Sequence, residues 1–415
     1  MGRTIRYRKP IRPKPPEKVE LSDKHLKLRI AATIIFLLLG ASALAYAITG
    51  FISGGSGLRE IKPEGAAGAT CAEDFVFVYD VGSVKSASFE RRALTAIYSE
   101  AAQTAYELFT VDAEIEGVAN MWYINRHPNE DITVDPTLYD ALLKADSSRL
   151  IYLGPVYSTY DNLFYMQSPD GASDFDPQLN EVLKEYFAEI CEFAQDDSQI
   201  SLEFLGENSL RLNVSQEYLS FAEYNEIDTF IDFYWLKNAF IADYLAKRVT
   251  EQGFTHGSIV SYDGFYRSLG PEGKFSFNIY RRMGDMIYTA AVMDCLDSEA
   301  VVYLRDYAVT VLDTKHYLVL PNGETRSPYL SLEDGFNRVA AEELIAHSKS
   351  ADCAEIALRI APLYIAETLD ESALIALEGD GIDAIVFSGS ELRHTAEKPA
   401  LSYLDERYSE KRIVR

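Results

Sequence analysis

Basic charge is what this 415-residue chain has little of: 39 Lys and Arg stand against 64 Asp and Glu, a net of −25. Neutralising a phosphate backbone takes clustered cations, so nucleic acid is excluded as a partner. Cysteine is scarce too. Cys71, Cys191, Cys295 and Cys353 form no Cys-x-x-Cys pair and have no histidine at metal-ligand spacing, which excludes a disulfide framework. Cys191 and Cys353 fall in apolar helical patterns and read as buried thiols. The common catalytic signatures are absent as well. There is no HExxH, no GxSxG, no phosphate-loop lysine and no GxGxxG behind a strand. The six histidines pair with no evident nucleophile. Asn213-Val214-Ser215 fits a glycosylation sequon, a triplet common enough by chance to carry little weight.

What is present begins with residues 30–52, 23 positions without a charge. About 20 apolar residues in a helix cross a bilayer core of roughly 30 Å, with every backbone polar group bonded inside the helix. Residues 1–29 carry ten Lys/Arg against three acids and include Pro10, Pro13, Pro15 and Pro16, so they read as an extended basic tail on the cytoplasmic side. With that tail at +7, the remainder carries −32 of the total. The expectation is a single-pass anchor with an acidic extracellular domain. A cleaved signal peptide is the other reading, since Ala43-Leu44-Ala45 and Ala45-Tyr46-Ala47 offer small-residue cleavage sites. Either way the domain is exported.

Residues 53–73, rich in Gly, Ser and Ala, read as a flexible stalk. The domain is expected over 74–392, with a polar tail at 393–415. Its first strand is Phe75–Tyr79. Helices are expected over Ser88–Thr110, from Pro136, over Pro177–Phe193, over Trp235–Gly253 and over Ser350–Ala361. Residues 201–205 and 209–214 read as a hairpin, 258–320 as strand-rich, Asn322-Gly323 as a hairpin turn and 383–387 as a late strand. Helices interleaved with hairpins argue for an α+β fold.

The order of segments resembles the ApbE family, the FAD:protein FMN transferases. Tyr106–Phe109, Asn125 and Thr133–Pro136 resemble an early family block. Ser147–Val156 lies where the family has GAFDxxVGPL, with Gly154 and Pro155 retained. Asp232–Asp243 resembles the DLGGIAKGYAVD helix. Both aspartates are kept, Tyr234 and Trp235 stand for the two glycines, and Asn238-Ala239 stands for Lys-Gly. Ser258–Gly264 resembles VNLGGD with Gly264 kept and Asp263 in place of its partner glycine. The stretch matching TSG through HxxDPxTG has Val311-Leu312-Asp313 and then Pro328 for the His and Ser331 for the Asp. Ser350–Glu355 resembles SAxxAD, with Glu355 for the Asp and Arg359 for the following Thr.

This resemblance implies a T-fold-related α+β domain that, in its active relatives, uses magnesium to move FMN from FAD onto a partner's Ser or Thr. It implies a pocket built from Gly154, Pro155, Asp232, Asn238, Asp243 and Gly264, with Glu355 as the metal candidate. It also implies partners among membrane flavoproteins or other envelope proteins. The departures argue the other way. Bulky side chains fill space in which glycine lets backbone N–H groups approach a pyrophosphate, and Pro328 can transfer no proton. Asp232 and Asp243 read more readily as caps or surface acids than as ligands, Gly154 and Gly264 as turn glycines, Asn238 as exposed or locally bonded, and Glu355–Arg359 as a surface ion pair. Three functions follow. The first is a degenerate, non-catalytic ApbE-like protein acting in binding or scaffolding. The second is an active transferase with a rebuilt site. The third is an unrelated envelope adhesin or receptor, which requires a different fold.

Overall fold

The computed structural model describes residues 55–65, 70–166, 172, 174–270, 275–284, 286–295 and 297–414. The apolar run at 30–52 and the basic tail lie outside these residues. No helix among the described residues is long and apolar enough to cross a membrane.

Alternation builds the first strands. β1 (Gly57–Ile61) pairs antiparallel with β2 (Phe75–Val81), whose Phe75, Phe77, Tyr79 and Val81 are buried while the residues between them are half-exposed. The helix Ala87–Phe109 follows, buried along Leu94, Tyr98, Ala101, Ala105 and Leu108. A polar excursion then holds β3 (Asp131–Thr133), β4 (Ile200–Gly206) and β5 (Ser209–Val214), which form a three-stranded sheet in the order β3-β5-β4. Helices Pro136–Asp146, Gly154–Met166 and Glu181–Gln195 are interleaved with it. Asp135 caps the first of these by accepting from Thr137 N at 2.7 Å, and Pro136 occupies its first turn. The helix Lys237–Glu251 leads into β6 (Gly257–Ser261), β7 (Phe265–Ser268), β8 (Phe275–Met283), β9 (Met286–Cys295) and β10 (Ala300–Arg305).

After a loop come the short β11 (Leu318–Val319) and β12 (Thr325–Arg326), paired across the Asn322-Gly323 turn, with Gly323 at φ +88°. β13 (Glu343–Ser348), the helix Cys353–Tyr364, β14 (Ile382–Ser388), β15 (Glu391–His394), β16 (Leu401–Leu404) and β17 (Ser409–Arg412) complete the chain. The main sheet has nine strands in the order β1-β2-β6-β7-β10-β13-β14-β15-β17, and only its β15–β17 edge is parallel. Its central strands are covered on both faces. Ala300, Val302 and Leu304 of β10 join the core under the helices, whereas Val301 and Tyr303 join a second cluster against β8 and β9. The architecture is mixed α+β.

Both expected termini of the domain move. Residues 57–61 are not stalk: they form an edge strand, because β2 otherwise leaves its outer row of backbone groups unpaired. Residues 393–415 are not a tail either. β16 adds to β9 and β17 to β15, again through backbone pairing that polar side chains do not advertise. The helix expected from Pro177 starts at Glu181, where Asn180 caps Val182 N and Leu183 N. The helix expected from Ser350 starts at Cys353 and runs to Tyr364 through Pro362. All four cysteines are free and buried.

Candidate functional site

The segment carrying Asp232 is held by one buried amide. Asn125 accepts from Phe230 N and Ile231 N at 2.8 and 2.9 Å and donates to the carbonyls of Ile231 and Met121. Gly154 lies against the same segment. A Cβ there would stand 2.8 Å from the backbone of Thr229 and Phe230, so only glycine lets the Gly154–Met166 helix begin at this place, with Pro155 buried in its first turn. That helix delivers Ser158 and Asp161 to a cleft of about 380 Å³.

Asp232 and Asn238 line this cleft with Asp263, Trp235, Lys237 and Tyr329, and Pro328 stands in its wall. Three matched blocks of the sequence therefore converge. Asp232 accepts from Tyr234 N at 2.9 Å, a local bond two residues on, just before the turn Tyr234–Leu236. Tyr234 has φ +50°, a left-handed backbone in a position matched to glycine. Its ring stacks on Tyr157 at 4.3 Å between centroids and its hydroxyl donates to Asp161, so packing holds a conformation that local sterics disfavour. Trp235 packs edge-to-face on Tyr329 at 5.0 Å, and Tyr329 packs likewise on Tyr364 at 5.0 Å. Asn238 donates to Asp263 at 2.8 Å, a tertiary contact rather than the local bond expected of it. Burial pushes the carboxyls of Asp232 and Asp263 each up to about 6, with Asp74 adding to the rise at Asp263. Asp161 also rises through burial, and His316 is pushed down to about 4 by burial and by Lys315.

Gly264 lies beside Asp263 rather than in the cleft. It has φ +111°, and a Cβ would meet the Tyr303 carbonyl oxygen at 2.3 Å. Asp243 is elsewhere. It accepts from Cys353 N and Ala354 N at 3.0 and 2.9 Å, capping the Cys353–Tyr364 helix from a distant element, with Arg267 3.6 Å away. Burial, and then Asp352, push its carboxyl up to about 7. Asp243 therefore caps a helix, whereas Asp232 makes a local bond to Tyr234 N.

Glu355 lines a second cleft of about 990 Å³ with Ser147, Ser148, Ser331 and Arg359. The expected Glu355–Arg359 pair is replaced: Arg359 reaches Asp380 at 3.6 Å, because the helix turns it toward the Leu377–Asp380 turn. Arg338 in this cleft pairs with Glu333, Asp334 and Glu367, and Lys144 pairs with Asp352. The matched TSG position is closed as well, since Asp313 is buried against Arg305 and accepts from Val309 N and Thr310 N. Sequence reasoning missed Asp74, Asp112, Asp161 and Lys315, which reach the first cleft without being motif residues themselves; Lys315 falls between the two motifs of a matched stretch and Asp161 lies on the helix that Gly154 begins.

Solved structures place this architecture among the ApbE flavin transferases at the level of fold. The chain is similar to the ApbE protein of Thermotoga maritima, with TM-score 0.52 and 16% identity over 84% of this chain and 97% of that one. It is similar to the flavin transferase ApbE of Vibrio cholerae, with TM-score 0.52 and 11% identity over 80% and 94%. No family model and no curated protein matches the chain. The fold is ApbE-like, which overturns the reading as an adhesin or receptor of unrelated architecture.

Proposed function

We propose that this chain is a membrane-anchored, extracellular ApbE-like protein that has lost flavin transfer and acts in binding or scaffolding. The observation that carries this reading is the aromatic row Trp235–Tyr329–Tyr364, which runs from a position matched to glycine to the helix lining the second cleft. Indole and phenol rings there leave no bare backbone N–H groups to meet a pyrophosphate. The residues also fit magnesium poorly. Glu355 stands among Lys144, Arg338 and Arg359, and the other acids of its cleft, Glu333 and Glu367, are paired with Arg338 rather than left to a hard cation. Pro328 supplies no proton-transfer group where the family match has histidine. Residues 30–52 are the anchor, with 1–29 inside the cell, and the partners this implies are membrane flavoproteins or another envelope protein.

The test is a transfer assay on the full chain in detergent with FAD, magnesium and a Ser/Thr flavin-acceptor protein. The expected result is no covalent flavin on the acceptor after denaturing electrophoresis. A fluorescent acceptor band establishes the rebuilt transferase instead. Protease added to intact cells is expected to digest the C-terminal domain; full protection overturns the topology.

A further inference from the structure

We propose that the loop 82–86 and the start of the helix after it form a lipid-facing surface, on which the domain sits against an anionic bilayer. The inference rests on the anchor at residues 30–52 read above. The loop is built from inside. Glu90 is fully buried, and its carboxylate accepts from Gly82 N, Val84 N and Lys85 N at 2.6, 3.0 and 2.5 Å. Three amides held by one buried acid fix the loop, and the fixed loop turns Val84 outward at 60% exposure. Phe89, in the first turn of Ala87–Phe109, is 52% exposed, with Lys85 Nζ 4.9 Å from its ring centre. The core asks for neither residue, since Ala87, Leu94 and Tyr98 carry the buried face of this helix. Exposed apolar residues scattered singly need no explanation, but these two stand on one rigid turn.

Chain length identifies what lies against this surface. Gly82 takes φ +88°, and a Cβ there would meet Ser56 Cβ at 2.7 Å, so the loop passes directly against Ser56. The charge-free run ends at Ile52, four residues before Ser56. Four residues reach at most about 14 Å, and the headgroup layer beyond a bilayer core is itself roughly 5–8 Å deep on each side. A span by that run therefore holds the loop at the membrane surface. Charge selects the same occupant. The domain is acidic overall, yet Lys85 and Arg92 are exposed and pair with no acid among the described residues, while Glu90 between them is turned inward. Arg92 stands one turn beyond Phe89 on the helix. Apolar tips flanked by unpaired cations match acyl chains beneath anionic headgroups: Val84 and Phe89 enter the interface, and the two cations reach its phosphates.

The test is the full chain reconstituted in vesicles of mixed phosphatidylcholine and phosphatidylglycerol, with an environment-sensitive fluorophore on Val84→Cys. The native cysteines are buried, so labelling is selective. Spin-labelled lipid is expected to quench the Val84 probe and to spare one on Val182→Cys, a position 75% exposed on the helix Glu181–Gln195. Phe89→Ser is expected to lower the ratio of seated to lifted domain about tenfold. Lys85→Glu and Arg92→Glu are each expected to lower it about fivefold, an effect that vanishes in phosphatidylcholine alone. No lipid quenching at Val84, in a chain that stays with the vesicles through alkaline carbonate, overturns the inference. So does equal quenching at Val182, or quenching indifferent to both charge reversals. A blue-shifted probe that lipid fails to quench marks a second copy or another protein on this surface and overturns it too. Release of the chain by carbonate is a separate outcome: it overturns the anchor on which the inference rests.

Discussion

The two clefts have treated their polar groups in opposite ways. In the second, Arg338 and Lys144 are matched to acids of the same chain, and Glu355 is part of a balanced surface. In the first, carboxylates outnumber lysines, and Trp235, Asn238 and Asp263 each keep an atom without a partner. A group that is buried and unpaired costs stability, so it marks a place where something other than folding has shaped the chain. A group that is paired within the chain asks for nothing from outside.

That contrast can be broken by substitution. The largest effect is expected at Gly264, next to Asp263 of the first cleft. Gly264→Ala places a methyl 2.3 Å from the Tyr303 carbonyl oxygen at φ +111°, and a loss of more than about 4 kcal/mol, or no folded product, is expected on urea titration. Asp243→Ala leaves Cys353 N and Ala354 N uncapped and should cost about 1–3 kcal/mol. The same truncation at Glu355 should stay within about 0.5 kcal/mol, since its side chain lines an open cleft. Equal losses at the two acids would erase the distinction between them.

A pH series sharpens the comparison further. Asp232 and Asp263 rise to about 6, Asp243 to about 7 and Glu343 to about 8, all chiefly through burial. Each then holds its proton longer in the folded chain than in the unfolded one. The unfolded state binds fewer protons between the ordinary carboxylate range and these raised values, so stability must fall as pH rises through that window. Thermal midpoints are expected to drop from pH 5 to pH 8. Asp263→Asn should flatten part of the slope. A midpoint that climbs over this range contradicts the burial of these acids.

Much of the fold was legible. The helix expected over Ser88–Thr110 is observed at Ala87–Phe109, and the hairpin near 201–214 is β4 and β5. Apolar spacing at period 3.6 or 2 reports burial directly, and these elements bury one face each. Gly253, expected to end the preceding helix, does so at φ +80° just beyond Glu251. The strands at the edges were not legible. Ser409–Arg412 is exposed throughout and has no apolar alternation to read; it is a strand because β15 offers backbone groups.

The candidate site divides the same way. Asp232 and Asn238 share the first cleft, as the block order implied, but Asp243 on the same helix points to another helix's N-terminus, and Glu355 lies in a separate cleft. Asp161 entered the site two turns beyond the retained Gly154-Pro155, at a position outside the motif.

The sequence by itself determined the composition of the domain, the identity of its core helices and the order of its matched blocks. These follow from local chemistry: side-chain period, capping residues, turn glycines. Only the tertiary structure decided which acids meet and which polar atoms go unpaired. Whether Asp243 caps a helix or enters a cleft depends on Cys353 arriving 110 residues later, and no local rule carries that distance.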